Sequence, residues 1–385
     1  MLLRIDNVPR DYAWGRRGAI SAFLGGGPTH AIEAELWLGA HSGSPSRLVD
    51  AGDGPLDLAA AIAADPSLVG GRGALPFLLK VLAPGAPLSL QAHPNAEQAR
   101  EGFERENALG IPLDAPHRNY RDPFPKPELI VAASDRFEAL AGFRPAAQAR
   151  TLVDELVAAA RAEREAAPLV ALLGDDARAG EAFLWLLSGS LEARALVSKL
   201  IAAAAAAPDR FPLQARLAEL HPEDPGVIGS LLLHHVELQQ GECLYLPAGN
   251  IHAYLDGIGI ELMSSSDNVL RGGLTIKHVD VDELARVVRP EAGRPPILEP
   301  TRRPHGGLEY RPGDPEAEFV LVAVDDRADV ALTGPAIALC TEGAFEIRGA
   351  VSSAPLERGD AVFASPDERT LALSGSGRLW LATTK

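Results

Sequence analysis

The sequence predicts a mainly β protein that carries an α-helical insert. Short alternating runs bounded by glycine and proline fill most of residues 1–144 and return at residue 230, as in a β barrel or jelly roll. Between them, alanine, leucine, arginine and glutamate dominate residues 145–222, with apolar side chains at helical spacing. The chain has 385 residues, which is enough for two or three domains.

Composition and charge exclude several classes of protein. The formal net charge of −16 argues against nucleic acid and against an anionic membrane as partners. Cys243 and Cys340 are too few for a disulfide scaffold, so we expect a cytoplasmic location. We expect no signal peptide in the first 15 residues. The apolar run LIAAAAAAP is too short to span a bilayer.

The first 144 residues divide into short elements separated by turns. We expect strands at LLRID, AELWLGAH, FLLKVL and ELIVAA, a helix over residues 56–70 that begins near Asp57, and a short helix over residues 96–106. Residues 107–127 are rich in proline and charge and are interpreted as a loop. Long ordered loops in compact domains commonly carry function.

The remainder of the chain returns from helices to strands. The helical patterns of residues 145–222 are separated by APL, GDD, SGS and APDR, and their combined length is that of a small domain. They contain no metal-binding or nucleophile motif, so we expect a structural or lid role. Residues 289–316 are proline-rich and predict a linker, and residues 317–385 predict short strands with glycine turns.

Polar side chains from three separate segments form a candidate metal site. In LSLQAHPN, alternation along a strand would place Ser89, Gln91 and His93 on one face. Glu128 opens the apolar run of KPELIVA, and a turn in LPAGNIHAYLDG leads to His252. Glutamine, histidine and glutamate together suit zinc, manganese, iron or cobalt. Each histidine alone could equally be a hydrogen-bonded core or surface residue.

These segments resemble a known family. The motifs QAHPN, NYRDPFPKPE, LPAGNIHAY and DNVLRGGLTIKHVD, with AELWLGAHSGSPS and DYAWG, are similar to type I mannose-6-phosphate isomerase, a zinc enzyme built on cupin domains. The matching segments run from residue 11 to about residue 280. The resemblance implies that one zinc ion is held by Gln91, His93, Glu128 and His252. It also implies interconversion of mannose 6-phosphate and fructose 6-phosphate through an enediol.

A faint repeat suggests a second domain of the same kind. GECLYLPAGNIHAYLDG and GDAVFASPDERTLALSG share a turn-strand-turn-strand rhythm in which His252 falls opposite Thr370. We therefore expect two cupin-like domains, with metal chemistry in the first only. The expected division is residues 1–144 with 223–300 as the catalytic β domain, 145–222 as the helical insert, and 301–385 as a C-terminal β domain without metal ligands.

The resemblance also implies how the substrate is held. It carries phosphate binding onto Ser89 and Lys126, and also Lys277. Ser89 would lie on the face that carries Gln91, and on an extended chain Lys126 would share a side with Glu128. For a lysine, the alternative is an ordinary solvated surface charge. The implied partner is a small sugar phosphate, and the sequence leaves the oligomeric state open, with a monomer compatible.

Proton transfer needs a base, an acid and a group that stabilises negative charge on oxygen. Arg271 matches the family's active-site arginine, and we assign it to the oxyanion because a guanidinium is a poor base. Glu261 is the first candidate for the base, and Lys126 is a further catalytic candidate. Tyr254 and Asp267 are expected to contact the sugar. For Glu261 and Asp267 the alternative is a structural salt bridge or a turn cap.

One departure from the family affects the expected substrate. The family block reads Asn-His directly before Lys-Pro-Glu, whereas this chain has Phe124-Pro125. A histidine near the phosphate or the sugar ring is therefore missing. Two alternatives stay open: an isomerase of the same class acting on a related sugar or sugar phosphate, and a non-catalytic cupin that binds a sugar phosphate.

Overall fold

The structure is a computed structural model that describes residues 1–50, 52 and 54–385. Its first part alternates short strands with helices. The elements are β1 (Leu2–Asp6), β2 (Arg16–Arg17), α1 (Ala19–Phe23), β3 (Ile32–Glu33), β4 (Glu35–Leu38), β5 (Arg47–Leu48), α2 (Leu58–Ala64), β6 (Phe77–Leu82), β7 (Gln91–Ala92), α3 (Ala96–Ala108), β8 (Glu128–Ala132) and β9 (Arg136–Phe143). The four predicted strands of this part are confirmed as β1, β4, β6 and β8.

Side-chain caps fix where the first helices begin. Asp57 accepts a hydrogen bond from the backbone N–H of Ala60, and α2 with the 3-10 turn Pro66–Val69 covers most of the predicted helix. Asn95 and Gln98 form a capping box at the start of α3. Because α3 begins only three residues after His93, this cap fixes the chain close to a predicted metal ligand.

Two five-stranded antiparallel sheets form a β sandwich. Its later strands are β10 (Leu233–Gln239), β11 (Cys243–Leu246), β12 (His252–Asp256), β13 (Gly259–Ser264) and β14 (Leu270–Arg271). The first sheet has the order β10-β9-β12-β7-β14, and the second has the order β11-β8-β13-β6-β4. The prediction of a mainly β chain of jelly-roll type is confirmed by this arrangement.

Apolar side chains fill one end of the space between the sheets. This buried cluster includes Leu82, Ile130, Ala132, Phe137, Ala139, Leu246 and Tyr254. Residues two apart on a strand share a face, so Glu128 faces the same interior as Ile130, and Lys80 the same interior as Leu82. The interior therefore changes from apolar to polar along the strands, and the polar end holds the candidate site.

The helical insert covers the outer face of the first sheet. Its helices are α4 (Ala146–Ala160), α5 (Ala167–Leu172), α6 (Ala179–Leu187), α7 (Leu191–Ala206), α8 (Pro212–Leu220) and α9 (Gly226–Gly229). Leu156, Phe183 and Leu217 belong to one buried cluster with Leu140 and Leu255 of the sheet. The predicted helical character of residues 145–222 is confirmed. No described helix is long and apolar enough to cross a membrane.

One ion network joins α8 to the first sheet. Arg216 donates two hydrogen bonds to Glu138, at 3.0 and 2.6 Å, and His235 Nε2 lies 2.6 Å from Glu138 Oε1. Burial by itself would raise the pKa of Glu138, but the hydrogen bonds from His235 and Arg216 lower that pKa to about 2. The network therefore stabilises the fold only while Glu138 is ionised.

Replacing Arg216 with methionine should make stability less dependent on pH in acid. The pKa of Glu138 lies below its ordinary value of 4.5, so the network stabilises the fold above pH 4.5 and loses this effect as the pH falls toward 2. The lowered pKa of Glu138 corresponds to about 3 kcal/mol of the free energy of unfolding at neutral pH. Arg216 is partly exposed, so we attribute about 1 kcal/mol of that contribution to it. Urea unfolding at pH 7 and pH 3 measures the change. The exposed pair of Arg150 with Asp154 supplies the control, Arg150→Met. This account would be wrong if the free energy of unfolding fell by the same amount between pH 7 and pH 3 in Arg216→Met and in wild type.

A third sheet packs against the outer face of the second. Its strands are β15 (Thr301–Arg302), β16 (Leu308–Tyr310), β17 (Phe319–Val324), β18 (Arg327–Ala331), β19 (Ala336–Arg348), β20 (Ser353–Glu357), β21 (Ala361–Ala364) and β22 (Thr370–Thr384), reached through α10 (Val281–Val287). Val131 and Leu262 of the second sheet share a buried cluster with Leu321 and Phe363 of the third. The two-sheet sandwich therefore lies between the insert and this sheet.

The third sheet differs from the expected boundaries in two ways. The predicted linker, residues 289–316, contains the strands β15 and β16. β1 pairs with β21, from Leu2 opposite Ala364 to Ile5 opposite Ala361, and β5 pairs with β1. A strand's sequence pattern indicates which face is buried but does not name the partner strand. The division into three domains stays a prediction, with β1 and β5 lying in the sheet assigned to residues 301–385.

Candidate metal centre and active site

Three predicted metal ligands meet between the two sheets of the sandwich. Glu128 begins β8, His252 begins β12, and His93 follows β7. One ligand atom from each lies within 4.8 Å of the other two, and all three side chains are buried. His93 Nε2 lies 3.3 Å from Glu128 Oε2, and His252 Nε2 lies 2.9 Å from Glu128 Oε1.

Backbone carbonyl groups decide which imidazole nitrogen faces Glu128. His93 Nδ1 lies 2.8 Å from the carbonyl oxygen of Asn268, and His252 Nδ1 lies 3.0 Å from that of Asn250. A carbonyl oxygen only accepts, so each Nδ1 carries the proton and donates it. The unprotonated Nε2 of each ring is then directed at the carboxylate, as in histidines that bind metal ions.

These three groups can share a cation. Burial, with help from Lys126, lowers the pKa of His93 to about 4, so its ring is neutral. Burial would raise the pKa of Glu128, but the Lys126 ammonium keeps it well below its usual range. Neither Nε2 has a hydrogen-bond partner. Atoms about 3 Å apart are spaced like ligands that each lie about 2.0–2.2 Å from one zinc ion. The residues therefore fit a metal ion.

Gln91 lies next to this group in the first sheet. It is directly opposite His252 on β12 and Arg271 on β14, so the three side chains share one face of the sheet. The predicted strand through Ser89 and His93 is shorter than expected, because β7 contains only two residues. The four predicted ligands are nevertheless brought to one place.

Tyr254 lies behind Glu128. It is fully buried, and its hydroxyl donates a hydrogen bond of 3.1 Å to Glu128 Oε1. Burial, followed by the charges of Glu128 and Glu261, raises the pKa of Tyr254 well above its usual value. The hydroxyl holds Glu128 and the side chain also lines the cavity, so the predicted contact with the sugar stays a prediction.

Replacing Tyr254 with phenylalanine should weaken metal binding without changing the ligands. The variant removes the hydroxyl that orients Glu128, and such changes typically weaken metal affinity about 10-fold or more. Competition with a coloured chelator measures this affinity. Tyr245→Phe is the control, because the Tyr245 hydroxyl donates to Asp314 outside the site. Equal zinc affinity in both variants would show that the Tyr254 hydroxyl has no such role.

A cavity of about 720 Å³ opens beside the ligands. Its wall includes most of the predicted site residues: Ser89, Gln91, Lys126, Glu128, Tyr254, Glu261, Asp267, Arg271 and Lys277. The wall also includes residues that the sequence did not single out, namely Tyr12, Trp14, Glu35, Trp37, His41 and Lys80, and the residues Leu220 and His221 at the end of α8. The cavity is large enough for a phosphorylated sugar.

Lys80 and two carboxylates form a buried group on one wall. Lys80 Nζ lies 3.0 Å from Glu261 and 3.8 Å from Glu35, and 5.0 Å from the centre of the Trp37 ring. Burial raises the pKa of Glu261, while Lys80 opposes that rise. For Lys80, burial would lower the pKa, but Glu261 and Glu35 raise it above its usual value. The lysine is therefore charged, and Glu261 is held close to it.

Positive charge collects elsewhere on the wall. Burial and the neighbouring Arg121 lower the pKa of Arg271, and burial, Arg271 and Arg121 lower the pKa of Lys277. Lys126 is buried, with Nζ at 3.6 Å from Glu128 Oε2. Cations that repel one another in this way favour an anion between them.

Asp267 is paired with a histidine from another segment. His41 Nε2 lies 3.3 Å from Asp267 Oδ2, and His41 Nδ1 accepts a hydrogen bond from the backbone N–H of Gly43. The contact with His41, against a smaller effect of burial, lowers the pKa of Asp267. Asp267 is therefore an ionised carboxylate on the cavity wall.

Comparisons with known proteins agree with these motifs. The family described as phosphomannose isomerase type I, catalytic domain, matches residues 2–146. Mannose-6-phosphate isomerase of Salmonella typhimurium is 35% identical over 98% of this chain and 98% of its own length. The Escherichia coli protein of that name is 36% identical over the same shares. The chain belongs to the type I phosphomannose isomerase family.

Solved structures of the family have the same fold. A mutant of phosphomannose isomerase from Salmonella typhimurium matches with a TM-score of 0.89 and 32% identity, over 100% of this chain and 99% of that chain. A zinc-bound mannose 6-phosphate isomerase matches with a TM-score of 0.88 at the same identity and coverage. The predicted cupin-type fold is confirmed by these family structures.

Within the family pattern, Phe124-Pro125 remains a departure. Phe124 is exposed, and neither residue lines the cavity. The backbone carbonyl of Phe124 instead accepts hydrogen bonds from Ser266 and Asn268. The loop is thus held at Phe124 through its backbone, so these contacts do not depend on which side chain stands at that position.

Proposed function

We propose that the chain is a zinc-dependent isomerase that interconverts D-mannose 6-phosphate and D-fructose 6-phosphate. The observation that carries this proposal is the meeting of His93, Glu128 and His252 beside a cavity whose wall includes the cations Lys126, Arg271 and Lys277. The names of the relatives and the zinc-bound relative support it. A cytoplasmic location is part of the proposal, since both cysteines are free and buried.

Glu261 is our candidate for the base. It takes the hydrogen on C2 of the open-chain aldose as a proton, and a proton added to O1 gives the enediol. Return of a proton to C1 and loss of the proton on O2 gives the ketose. Its burial and raised pKa suit a base that must later give the proton back. Lys80 balances its charge at 3.0 Å.

The ligands and the nearby cations would stabilise the charged oxygen atoms. Gln91, His93, Glu128 and His252 would hold zinc, which when bound supplies a Lewis acid for the sugar oxygens. Arg271 lies beside Gln91 in the sheet, and we assign it to the developing negative charge on oxygen. We assign buried Lys126 to the same oxygen atoms, because its ammonium lies close to Glu128.

The phosphate is assigned to the positive wall. Lys277 lines this part of the cavity, and burial with the neighbouring Arg271 and Arg121 lowers its pKa, so a bound anion would stabilise its charge. Ser89 lines the same cavity and offers a hydroxyl donor. We assign Asp267, held by His41, to accept hydrogen bonds from sugar hydroxyl groups. A local cluster of this kind explains how a chain with a net charge of −16 could bind an anion.

A coupled assay on mannose 6-phosphate tests the proposal. Protein freed of metal by a chelator should be inactive, and zinc should restore turnover. The absence of turnover in zinc-loaded protein would overturn the isomerase reading. Stabilisation by the sugar phosphate without turnover would favour a binding protein instead.

A second candidate function follows from Phe124-Pro125. The family's histidine near the phosphate or ring is missing there, so a related sugar or sugar phosphate is the alternative substrate. Measuring kcat/KM for a panel of aldoses and their phosphates distinguishes this candidate from an isomerase of mannose 6-phosphate. A value at least about 10-fold higher on another substrate would favour the alternative, since that ratio reports the difference in transition-state binding.

The helical insert is proposed to cover the sugar site, because Leu220 and His221 at the end of α8 reach the cavity wall. Replacing Leu220 with alanine should reduce kcat/KM about 5-fold, as about 1 kcal/mol of apolar contact and water exclusion is lost. Leu191→Ala is the control, because Leu191 is an exposed insert residue outside the cavity. Equal kinetics for the two variants would contradict a covering role.

A further inference from the structure

Asn268 is a fully buried amide in the loop between β13 and β14. Its Oδ1 accepts hydrogen bonds from the backbone N–H groups of Arg121 at 2.7 Å and Asp122 at 3.2 Å. Its Nδ2 donates to the carbonyl oxygens of Asp122 at 2.8 Å and Phe124 at 2.9 Å. The amide therefore uses its donors and its acceptor on the backbone of residues 121–124, which a carboxylate or an apolar side chain could not do.

The backbone of the same residue contacts the metal centre. The carbonyl oxygen of Asn268 accepts the hydrogen bond from His93 Nδ1, at 2.8 Å. Asp122 also joins the two loops through its own side chain. Its carboxylate accepts hydrogen bonds from the Ser266 hydroxyl and the Asp267 N–H, both at 2.8 Å. One residue thus joins the imidazole of a metal ligand to the loop that leads into Lys126 and Glu128.

We propose that Asn268 is a positioning residue that couples metal binding to the order of residues 121–124. This inference rests on the proposed metal site. A cation on Nε2 of His93 strengthens the bond from Nδ1 to Asn268, and a fixed Asn268 holds the loop through its amide. Coupling of this kind is reciprocal. The factor by which bound zinc favours the ordered loop is therefore also the factor by which loss of loop order weakens the affinity for zinc.

The coupling also accounts for the departure at Phe124-Pro125. At Phe124 the Asn268 amide contacts only the backbone carbonyl oxygen, and its one side-chain contact in this loop is with Asp122 Oδ1, at 3.3 Å. The side chains of Phe124 and Pro125 can therefore change while the loop keeps its path toward Lys126 and Glu128. In this chain the path is fixed by Asn268 together with the Asp122 carboxylate, and not by the side chains of Phe124 and Pro125.

Zinc affinity in two Asn268 variants tests the proposal. Asn268→Asp keeps the shape but turns a carboxylate toward two carbonyl oxygens, and Asn268→Ala removes the amide. Both should bind zinc about 10–100-fold more weakly than wild type in competition with a chelator. The control is Asn119→Ala, since Asn119 ties the same loop to Asp280 at 2.9 Å without contacting a metal ligand. Because this anchor lies outside residues 121–124, Asn119→Ala should lose much less zinc affinity than either Asn268 variant.

Hydrogen exchange of single amides gives a readout that general destabilisation would not produce. In wild type, zinc should slow exchange of the Arg121 and Asp122 amides, which Asn268 holds, more than exchange in the turn at residues 325–327 of the third sheet. In both Asn268 variants this selective slowing should disappear. If neither variant folds, the wild-type comparison alone decides, because equal slowing at the two places overturns the coupling.

The outcomes separate this inference from the proposed function. Wild-type zinc affinity in both Asn268 variants would overturn the positioning role, whatever the catalytic rate. A wild-type chain that binds no zinc, or that binds zinc but turns over no sugar phosphate, would instead overturn the metal site or the isomerase proposal. If the two Asn268 variants weakened zinc binding no more than Asn119→Ala does, Asn268 would have no special role beyond holding the loop, and the positioning role would be wrong.

Discussion

Replacing Glu128 with glutamine should abolish tight zinc binding and, with it, turnover. Glu128 supplies the only negative charge among the four proposed ligands, and its two oxygens face His93 and His252. An amide of the same shape keeps one neutral oxygen but removes that charge. We expect zinc affinity to fall by more than the roughly 100-fold that marks the loss of an outer-shell partner.

Chelator competition and turnover with excess zinc measure this result together. Glu237→Gln is a matched control, because Glu237 is an exposed carboxylate on β10 that pairs with Arg136. It should leave both quantities as in wild type. Zinc affinity in Glu128→Gln within about twofold of wild type would exclude Glu128 as a ligand, since removing even an outer-shell partner costs more than that.

Replacing Glu261 with glutamine should lower kcat by about 10²–10⁴-fold with little change in KM, because a general base contributes about that much. The matched control is Glu35→Gln. Both carboxylates are buried and contact Lys80, at 3.0 Å for Glu261 and 3.8 Å for Glu35. If the carboxylates only neutralise Lys80, the two variants should lose similar activity; a base at Glu261 predicts a much larger loss there.

The pH profile offers a second check on Glu261. The base must be ionised, and burial raises its pKa above the ordinary 4.5. Activity should therefore fall as the pH drops through a value above 4.5, and this acid limb should be absent from the residual activity of Glu261→Gln. An unchanged acid limb in the variant would assign it to another group, such as a metal ligand.

Local pattern made the four proposed metal ligands candidates, and the family resemblance joined them into one set. Gln91, His93 and His252 are polar residues beside turns in apolar runs, and Glu128 follows a proline at the start of a strand. Lys80 was harder to recognise, because the sequence shows only a single charge within FLLKVL. Its role depends on Glu35 and Glu261, which lie on other strands. A local pattern does not show such partners.

His41 and Asn268 were missed for a related reason. His41 lies in AELWLGAH, a segment that carried the resemblance but suggested no role, and its partner Asp267 is distant in sequence. Asn268 reads as a loop residue, because asparagine is common in turns. Only the structure shows that its amide is buried and saturated by backbone atoms from another loop.

The pairing of β1 with β21 has a consequence for how this polypeptide matures on the ribosome. Leu2 is paired in register with Ala364, whereas β5 pairs only with Ile5 and Asp6, so residues 2–4 lack a strand partner until β21 has been synthesised. Closing so long a loop is slow, and an unpaired apolar strand is prone to aggregate meanwhile. Chaperone dependence during synthesis should therefore concentrate on β1.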